Sequence, residues 1–594
     1  MQSDASSQEA LSPRADAAGS RPVLGRRAAW LALALLVVAG WALRVRGLDW
    51  QLPQWTYSDG YVLRNQTAQL RGEIEGLPAP EAESDSPALP GYYPWLPAAV
   101  MAVVPRAEPD VEGLEPLARA LALARAPWLH LRRTSAWIAL GAVLATYALA
   151  RRFVGRWSAL FAAALVATSL LHVTFSAAQR PHALLATVIS VALLAILWAR
   201  RRSKLAAQLS GALGFAASAS TLQSGFAVLP AWGLAWILRR ERRAWWREVL
   251  ALLASLALVG LVLRWAYSDP EFAQGGITGR HVIWWSSTPG LGLWVLARAM
   301  LLYEPVLLLG IVAALLAAVL PALRRRAEWD RERRDDLLTC LGFVLSYGGF
   351  FALFGGTFER FALPLLPFAA IAAAWGFGLW GRALLGERRG WLACGALALL
   401  ALPVAACWRL GELRSRPDTL ELAARWIEQR ASDGHRKVLI SSLNLELPFF
   451  YSRESLARLD AAGTADWTRF QRGLGSRDVS DPRFDLTRDR DLDRDREDAE
   501  PEAWDFDFVV LNTAVLRTHG PEFEAELKAW RAGGVEAELL SPFGEEPEER
   551  QREGARAQGR TEQMFGIAEA PSLDVLFRCK RLGPRLRVLA RRGR

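Results

Sequence analysis

Cysteine is scarce in this chain: the 594 residues hold four, with no CxxC pair and no Cys/His cluster. Cys340, Cys394 and Cys407 lie in apolar stretches and Cys579 stands far along the tail. That spacing indicates neither a disulfide framework nor a zinc knuckle. Also missing is the polar–apolar alternation that a soluble chain of this length would carry through several domains. No targeting signal is legible in the first 20 residues, which are polar and rich in Ala and Ser. The first apolar run, "WLALALLVVAGWALRV" after "RPVLGRR", lacks a small-residue cleavage site and reads as a retained first span with a cytoplasmic N-terminus. The basic residues, finally, form no nucleic-acid-binding face despite a net charge of +10. They sit in short loops between apolar runs: "RRFVGR", "RRRSK", "RRERRAWWR", "RRRAEWDRERR". This is the pattern of cytoplasmic loops that fixes membrane orientation. No nucleic-acid partner is expected.

What is present is hydrocarbon. Hydrophobic residues make up 52% of the chain and are concentrated in long runs between residues 28 and 408. Runs of about 18 apolar residues reach across a bilayer. Spans are expected at 28–45, 134–150, 157–175, 182–199, 205–222, 224–238, 248–265, 303–323, 336–355, 361–381 and 390–408, the short pair split by "QS" at Gln223 being the least regular. The piece "GYYPWLPAAVMAVV", 91–104, is too short for a span, and a crossing there would turn every later Arg-rich loop to the outside. It is therefore expected as an interfacial or re-entrant helix within a long external loop, 46–133.

The expected organisation has three parts. Residues 1–27 form a cytoplasmic, disordered N-terminus, 28–408 a transmembrane module, and 409–594 an external small α/β domain. The fold class is thus a polytopic α-helical membrane protein of about eleven transmembrane helices with a C-terminal soluble α/β domain. In the tail, "DTLELAARWIEQR" has helical spacing, and "KVLIS", "FDFVVLN" and "LDVLFRC" read as short buried strands. The run "DLTRDRDLDRDREDAEPE" reads as a solvated, mixed-charge loop.

Six segments, in order, resemble a known family. "RVRGLDWQLPQWTYSDGYV" is similar to the opening of bacterial glycosyltransferases of the GT-C fold, the protein O-mannosyltransferases and the lipid A aminoarabinose transferase. "GYYPWLPA" resembles their Tyr-Pro helix, "RRTSAWIALGAVLATYALARRFVGR" their second span, and "HVTFSAAQRPHALL" their "ARPD" segment. "ERFALPLLPF" is similar to a late "RYLLPLLP" element, and "RPDTLELAARWI" to the start of their soluble tail. The chain departs from the pattern twice. Asp59 is followed by Gly60 where the family has an acidic pair, and His182 follows Arg180 and Pro181 where the family has Asp.

The resemblance implies a GT-C membrane glycosyltransferase. It would move a sugar from a polyprenyl-phosphate donor to an envelope acceptor, on the outer face of a bacterial inner membrane, with inversion. Such chemistry needs a base for the acceptor proton and positive charge for the leaving phosphate. A phosphate leaves as an anion, so one carboxylate suffices. Asp59 is the candidate base; read alone, it is equally an Asx-turn residue before Gly60. For the phosphate, Arg280 beside His281 offers a fixed fork of donors, or a snorkelling anchor in an aromatic belt with Trp284 and Trp285. Arg360, at the outer start of a span, is a phosphate ligand or a membrane anchor. Arg180 and His182 stand at the mouth of the fourth span, where ionisable groups are functional candidates.

Glu304 reads as a second carboxylate or as a helix-end charge facing water. Tyr92 and Tyr93 border the donor or mark the interface. "NQT" at Asn65 matches a glycosylation sequon, a short pattern that chance also produces. No metal ligand set is legible, and a divalent metal is left open by the resemblance. Two other readings stand beside the transferase: a catalytically silent homologue acting as a lipid-binding scaffold, and a transporter or flippase for lipid-linked sugars. Charges gathered at external span ends, rather than at the midplane, favour surface chemistry over transport.

Overall fold

The computed structural model describes residues 21–53, 60–73, 93–201, 205–238, 245–268, 288–324, 330–354, 357–386, 388–431, 437–441, 447–460, 471, 484–488, 505–512, 521–544 and 570–591. A helix stands at each expected span. They are α1 (Arg21–Val45), α4 (Pro116–Ala150), α5 and α6 (Arg156–Ala167, Leu170–Ser176), α7 (His182–Arg201), α8 (Leu205–Thr221) and α9 (Leu229–Ile237). After these come α10 (Trp245–Ala266), α11 and α12 (Leu291–Tyr303, Pro305–Val319), α13 (Arg331–Leu353), α14 (Leu366–Leu385) and α15 (Arg389–Arg414). Between α1 and α4 lie α2 (Gly60–Leu70) and α3 (Trp95–Val103). Helix α1 begins at Arg21, inside the segment expected to be disordered.

Seven helices among the described residues are long and apolar enough to cross a membrane, nine with the bent pairs α5/α6 (53°) and α11/α12 (113°). The expected eleven are not reached because α8 has 17 residues and α9 only nine. Leucines and valines on the outside of α1, α10 and α12, such as Leu35, Val38, Leu253, Leu261 and Leu315, are exposed where a soluble helix would be polar. This is a polytopic helical membrane protein. Helix α3 is short, as expected for 91–104, with Pro97, Ala98 and Met101 buried.

Lipid tails offer no hydrophobic drive between helices, so close contact rests on small residues. Helices α12 and α14 meet at Gly310, Ala314, Ala373 and Gly376. A Cβ built on Gly376 would lie 2.5 Å from Ala314 N and 2.8 Å from Gly310 O, so no side chain fits. We expect Gly376→Val to cost about 1–3 kcal/mol through overpacking, seen as a lower unfolding midpoint in detergent. An unchanged midpoint would show that the two helices separate freely.

One end of the bundle is tied by charge. Asp336, fully buried in the first turns of α13, accepts from Arg200 Nη2 at 2.5 Å, Arg201 Nη2 at 2.6 Å and Arg152 Nη1 at 3.3 Å. Arg200 also reaches Asp335 Oδ2 at 3.1 Å, and Asp330 caps α13 by accepting from Arg333 N at 2.8 Å.

The tail builds a five-stranded sheet of β1 (Lys437–Ser441), β2 (Asp485–Arg488), β3 (Phe508–Asn512), β4 (Val535–Leu540) and β5 (Leu586–Arg591), in the order β2-β1-β3-β5-β4. Strands β2, β1 and β3 are parallel, and β5 runs antiparallel to β3 and β4. Both faces of β1 and β3 are covered, which is why they read as unbroken apolar runs. Helix α16 (Thr419–Glu428) covers one face with Leu420, Ala424 and Ile427; α18 (Pro521–Ala532) covers the other with Leu527 and Trp530. Helix α17 (Arg453–Asp460) packs beside β2.

Two tail readings need correction. "LDVLFRC" is no strand but helix α19 (Leu573–Arg578), whose Val575 and Leu576 enter the core of the bundle together with Cys579. Short apolar runs do not separate helix from strand by period alone. The first residues of the mixed-charge run, "DLTR", form edge strand β2, with Leu486 turned into the core.

Candidate functional site

The site begins at a break in a span. Helix α5 ends at Ala167 and α6 starts at Leu170, so carbonyls and amides at the bend lose their helical partners. Groups from distant helices take them over. Arg44, fully buried near the end of α1, donates from Nη1 to Ala167 O at 2.9 Å and to Gly40 O at 2.8 Å. Its Nη2 meets His172 Nδ1 at 2.8 Å, and Cys407 Sγ donates to Thr168 O at 3.2 Å. On the α6 side, Glu304 Oε1 accepts from Ser169 Oγ at 2.6 Å and Leu171 N at 2.8 Å. Ser169 in turn caps α6, its Oγ accepting from His172 N at 3.1 Å.

Helix α6 leads into Gln179, Arg180, Pro181 and His182, where α7 begins with Leu185 N bonded to Pro181 O at 2.8 Å. Proline suits this place because its ring presets the helical φ and it needs no donor. Arg180 and His182 are 2% and 3% exposed. Neither ring nitrogen of His182 has a hydrogen-bond partner, and its ring meets Phe361 edge-on at 5.0 Å. Phe361 belongs to the tight turn Glu359–Leu365 that precedes α14. From that turn Arg360 lies over Phe358 at 4.3 Å and Phe361 at 5.4 Å, and both Arg360 and Arg180 act electrostatically on the His182 ring.

Of the residues singled out in the sequence, Arg180, His182 and Arg360 are thus brought together. Arg360 is half-buried, its guanidinium packed over the Phe358 and Phe361 rings near the His182 imidazole. Glu304 does not face water but is 4% exposed and bound to the α6 start. Tyr93 is buried in the core, and its carbonyl accepts from Gln66 Nε2 at 2.9 Å. Asn65 is buried in α2, so its sequon is not presented. Asp59, Tyr92, Arg280 and His281 lie outside the described residues.

Sequence reasoning missed three groups here. Gln179 is fully buried with neither amide atom hydrogen-bonded, and Glu359 is buried beside Arg360. Arg44, at the end of an apolar run, looks like a snorkelling anchor until its contacts are seen. The only signal for Gln179 was its place next to "RPH".

Two guanidiniums thus stand near the His182 imidazole, whose own ring nitrogens are unbonded, and arginine's planar fork is suited to anions in general. The divalent metal left open by the resemblance does not fit the described part. Among the described residues no three His, Cys, Asp or Glu side chains are grouped to hold a metal ion.

No protein-family model matches the chain, and no curated protein sequence matches it. Solved structures do. The chain is similar to ArnT from Cupriavidus metallidurans in the apo state, at 13% identity, over 88% of this chain and 96% of that one, with a TM-score of 0.45. The same protein bound to undecaprenyl phosphate gives 13% identity, 86% and 96% coverage and a TM-score of 0.43. The archaeal oligosaccharyltransferase AglB from Archaeoglobus fulgidus, in complex with an inhibitory peptide and a dolichol-phosphate, gives 12% identity, 88% and 74% coverage and a TM-score of 0.43. These neighbours are GT-C glycosyltransferases, the group that the sequence motifs resemble.

Proposed function

We propose that this chain is an inverting membrane glycosyltransferase. It takes a sugar from a polyprenyl-phosphate carrier and passes it to an envelope acceptor at the bundle end opposite the Asp336 ties. The observation that carries this reading is the grouping of buried Arg180 and His182 with half-buried Arg360, around an imidazole whose nitrogens have no bonding partner. Arginine's planar fork of donors suits a phosphate, and a lipid phosphate would bring an acceptor to the unbonded His182 nitrogens. The ArnT structure with undecaprenyl phosphate and the AglB structure with dolichol-phosphate agree in ligand chemistry.

In this mechanism Asp59 takes the proton of an acceptor hydroxyl as its oxygen attacks the anomeric carbon. The bond from that carbon to the phosphate oxygen breaks, and the phosphate keeps the electron pair. Arg180 and Arg360 hold the growing phosphate charge, and His182 donates a hydrogen bond to it. No general acid is required, because the leaving group is already an anion.

The test is equilibrium binding of undecaprenyl phosphate to the purified full chain in nanodiscs. A charge-assisted hydrogen bond is worth about 1.5–3 kcal/mol, so Arg360→Ala and Arg180→Ala are each expected to weaken binding at least about tenfold. Wild-type protein that binds no undecaprenyl phosphate would sink the proposal, as would variants that bind like the wild type. Binding without any sugar transfer would favour the silent scaffold.

A further inference from the structure

Glu304 occupies a corner. It is the last residue of the α11 turn and the first before α12, where the chain changes direction by 113°. Its carboxylate holds the start of α6, and six residues after α6 ends the chain reaches His182. The residue before it, Tyr303, donates from its hydroxyl to Ala570 O of the tail at 2.9 Å. That tail segment is firmly seated. Helix α19 packs on α11 and α15, Arg409 Nη2 donates to Cys579 O at 2.8 Å, and Val575, Leu576, Cys579 and Leu582 belong to the bundle core. Helix α11 is anchored at its other end through Gly290 N to Ala352 O at 2.7 Å. Along its length it also touches the Glu359–Leu365 turn that carries Arg360.

Two adjacent residues therefore reach different parts of the molecule, one bonded to the tail and one to α6, the helix that leads into Arg180 and His182. We propose that Glu304 is a positioning residue that couples the docked C-terminal segment to the Arg180–His182–Arg360 cluster. Seating of 570–582 fixes α11, Glu304 then fixes the register of α6, and α6 sets where Arg180 and His182 stand. Arg360 is placed by the same helix from the other side. Without the carboxylate, the Leu171 amide and the Ser169 hydroxyl lose their acceptor inside the bundle, and α6 gains freedom to shift. The coupling to function rests on the proposed lipid-phosphate role of the cluster; the coupling itself does not.

Amide hydrogen exchange of the full chain in nanodiscs tests it, with undecaprenyl phosphate binding as a second readout. Loss of this acceptor leaves the buried Leu171 amide unsatisfied and is expected to speed exchange of peptides within 170–182 about tenfold or more in Glu304→Leu. Glu304→Gln keeps one acceptor oxygen and should fall between that variant and the wild type. Tyr303→Phe removes the neutral hydrogen bond to Ala570 O, so exchange in both 570–582 and 170–182 should rise about fivefold. With it, undecaprenyl phosphate binding should weaken while the unfolding midpoint stays put, a combination that a merely structural contact would not give. Should Glu304→Leu not fold, the Gln and Phe variants decide.

The proposal is overturned if the Glu304 variants leave 170–182 as protected as in the wild type. It is equally overturned if Tyr303→Phe loosens 570–582 alone. Absence of undecaprenyl phosphate binding in the wild type would refute the transfer reading, while the exchange data would still decide the coupling.

Discussion

Asp336→Ala should destabilise the protein by about 3–5 kcal/mol, the usual effect of removing one partner of a buried ion pair. The size follows from what the substitution leaves behind. Asp336 is fully buried and receives three guanidiniums, from Arg152 after α4 and from Arg200 and Arg201 at the end of α7. Arg200 keeps Asp335 and the Glu332 carbonyl, and Arg201 keeps the Glu332 carboxylate, but Arg152 keeps no carboxylate among the described residues. Like charges then face one another at the junction of α7 and α13. Reversible unfolding in mixed detergent measures the loss. Adding Arg152→Met to Asp336→Ala should recover part of it, because the newly unmatched charge goes too. A loss below about 1 kcal/mol, typical of exposed pairs, would show that water reaches the cluster and that it does not hold the helices together.

Asp59→Asn is expected to lower sugar transfer by about 10²–10⁴-fold, the range that a positioned base contributes. Binding of undecaprenyl phosphate should stay at the wild-type level, since the amide keeps the shape and the cationic cluster is untouched. Asp59 enters the proposed mechanism only through the likeness of "RVRGLDWQLPQWTYSDGYV" to the opening of GT-C glycosyltransferases. Transfer at the wild-type rate in Asp59→Asn, measured with a polyprenyl-phosphate sugar, would remove Asp59 from the mechanism. Loss of lipid binding along with transfer would instead mean that Asp59 shapes the pocket.

Much of the architecture was legible because membrane spans announce themselves in composition. The positions of the helices, the short helix at 95–103 and the two central strands β1 and β3 all follow from apolar runs. What failed has a shared cause. Leu573–Arg578 is too short an apolar run for its period to tell a buried strand from a helix; beside α15 it buries Val575 and Leu576 as a helix. Strand β4 was missed because most of it is exposed and carries Glu536 and Glu538, so it has no apolar run to read. Arg180, His182 and Arg360 were singled out through motifs, yet their proximity in the fold was not legible, since 178 residues separate His182 from Arg360 in the chain. Glu304 was misread for the same reason. An acid at a helix end looks solvated until the fold brings Ser169 and Leu171 to it.

The broken span also has a bearing on biogenesis. Its loose ends are satisfied by Arg44 from the first helix, Glu304 from the middle of the chain and Cys407 from the last membrane helix. Chains are threaded into membranes from the N-terminus, so α5 and α6 enter the bilayer long before two of those three groups have been synthesised. Until Glu304 and Cys407 arrive, polar backbone at the bend is without its final partners. A nascent chain halted before residue 304 would hold the bend through Arg44 alone, the one of the three groups already made.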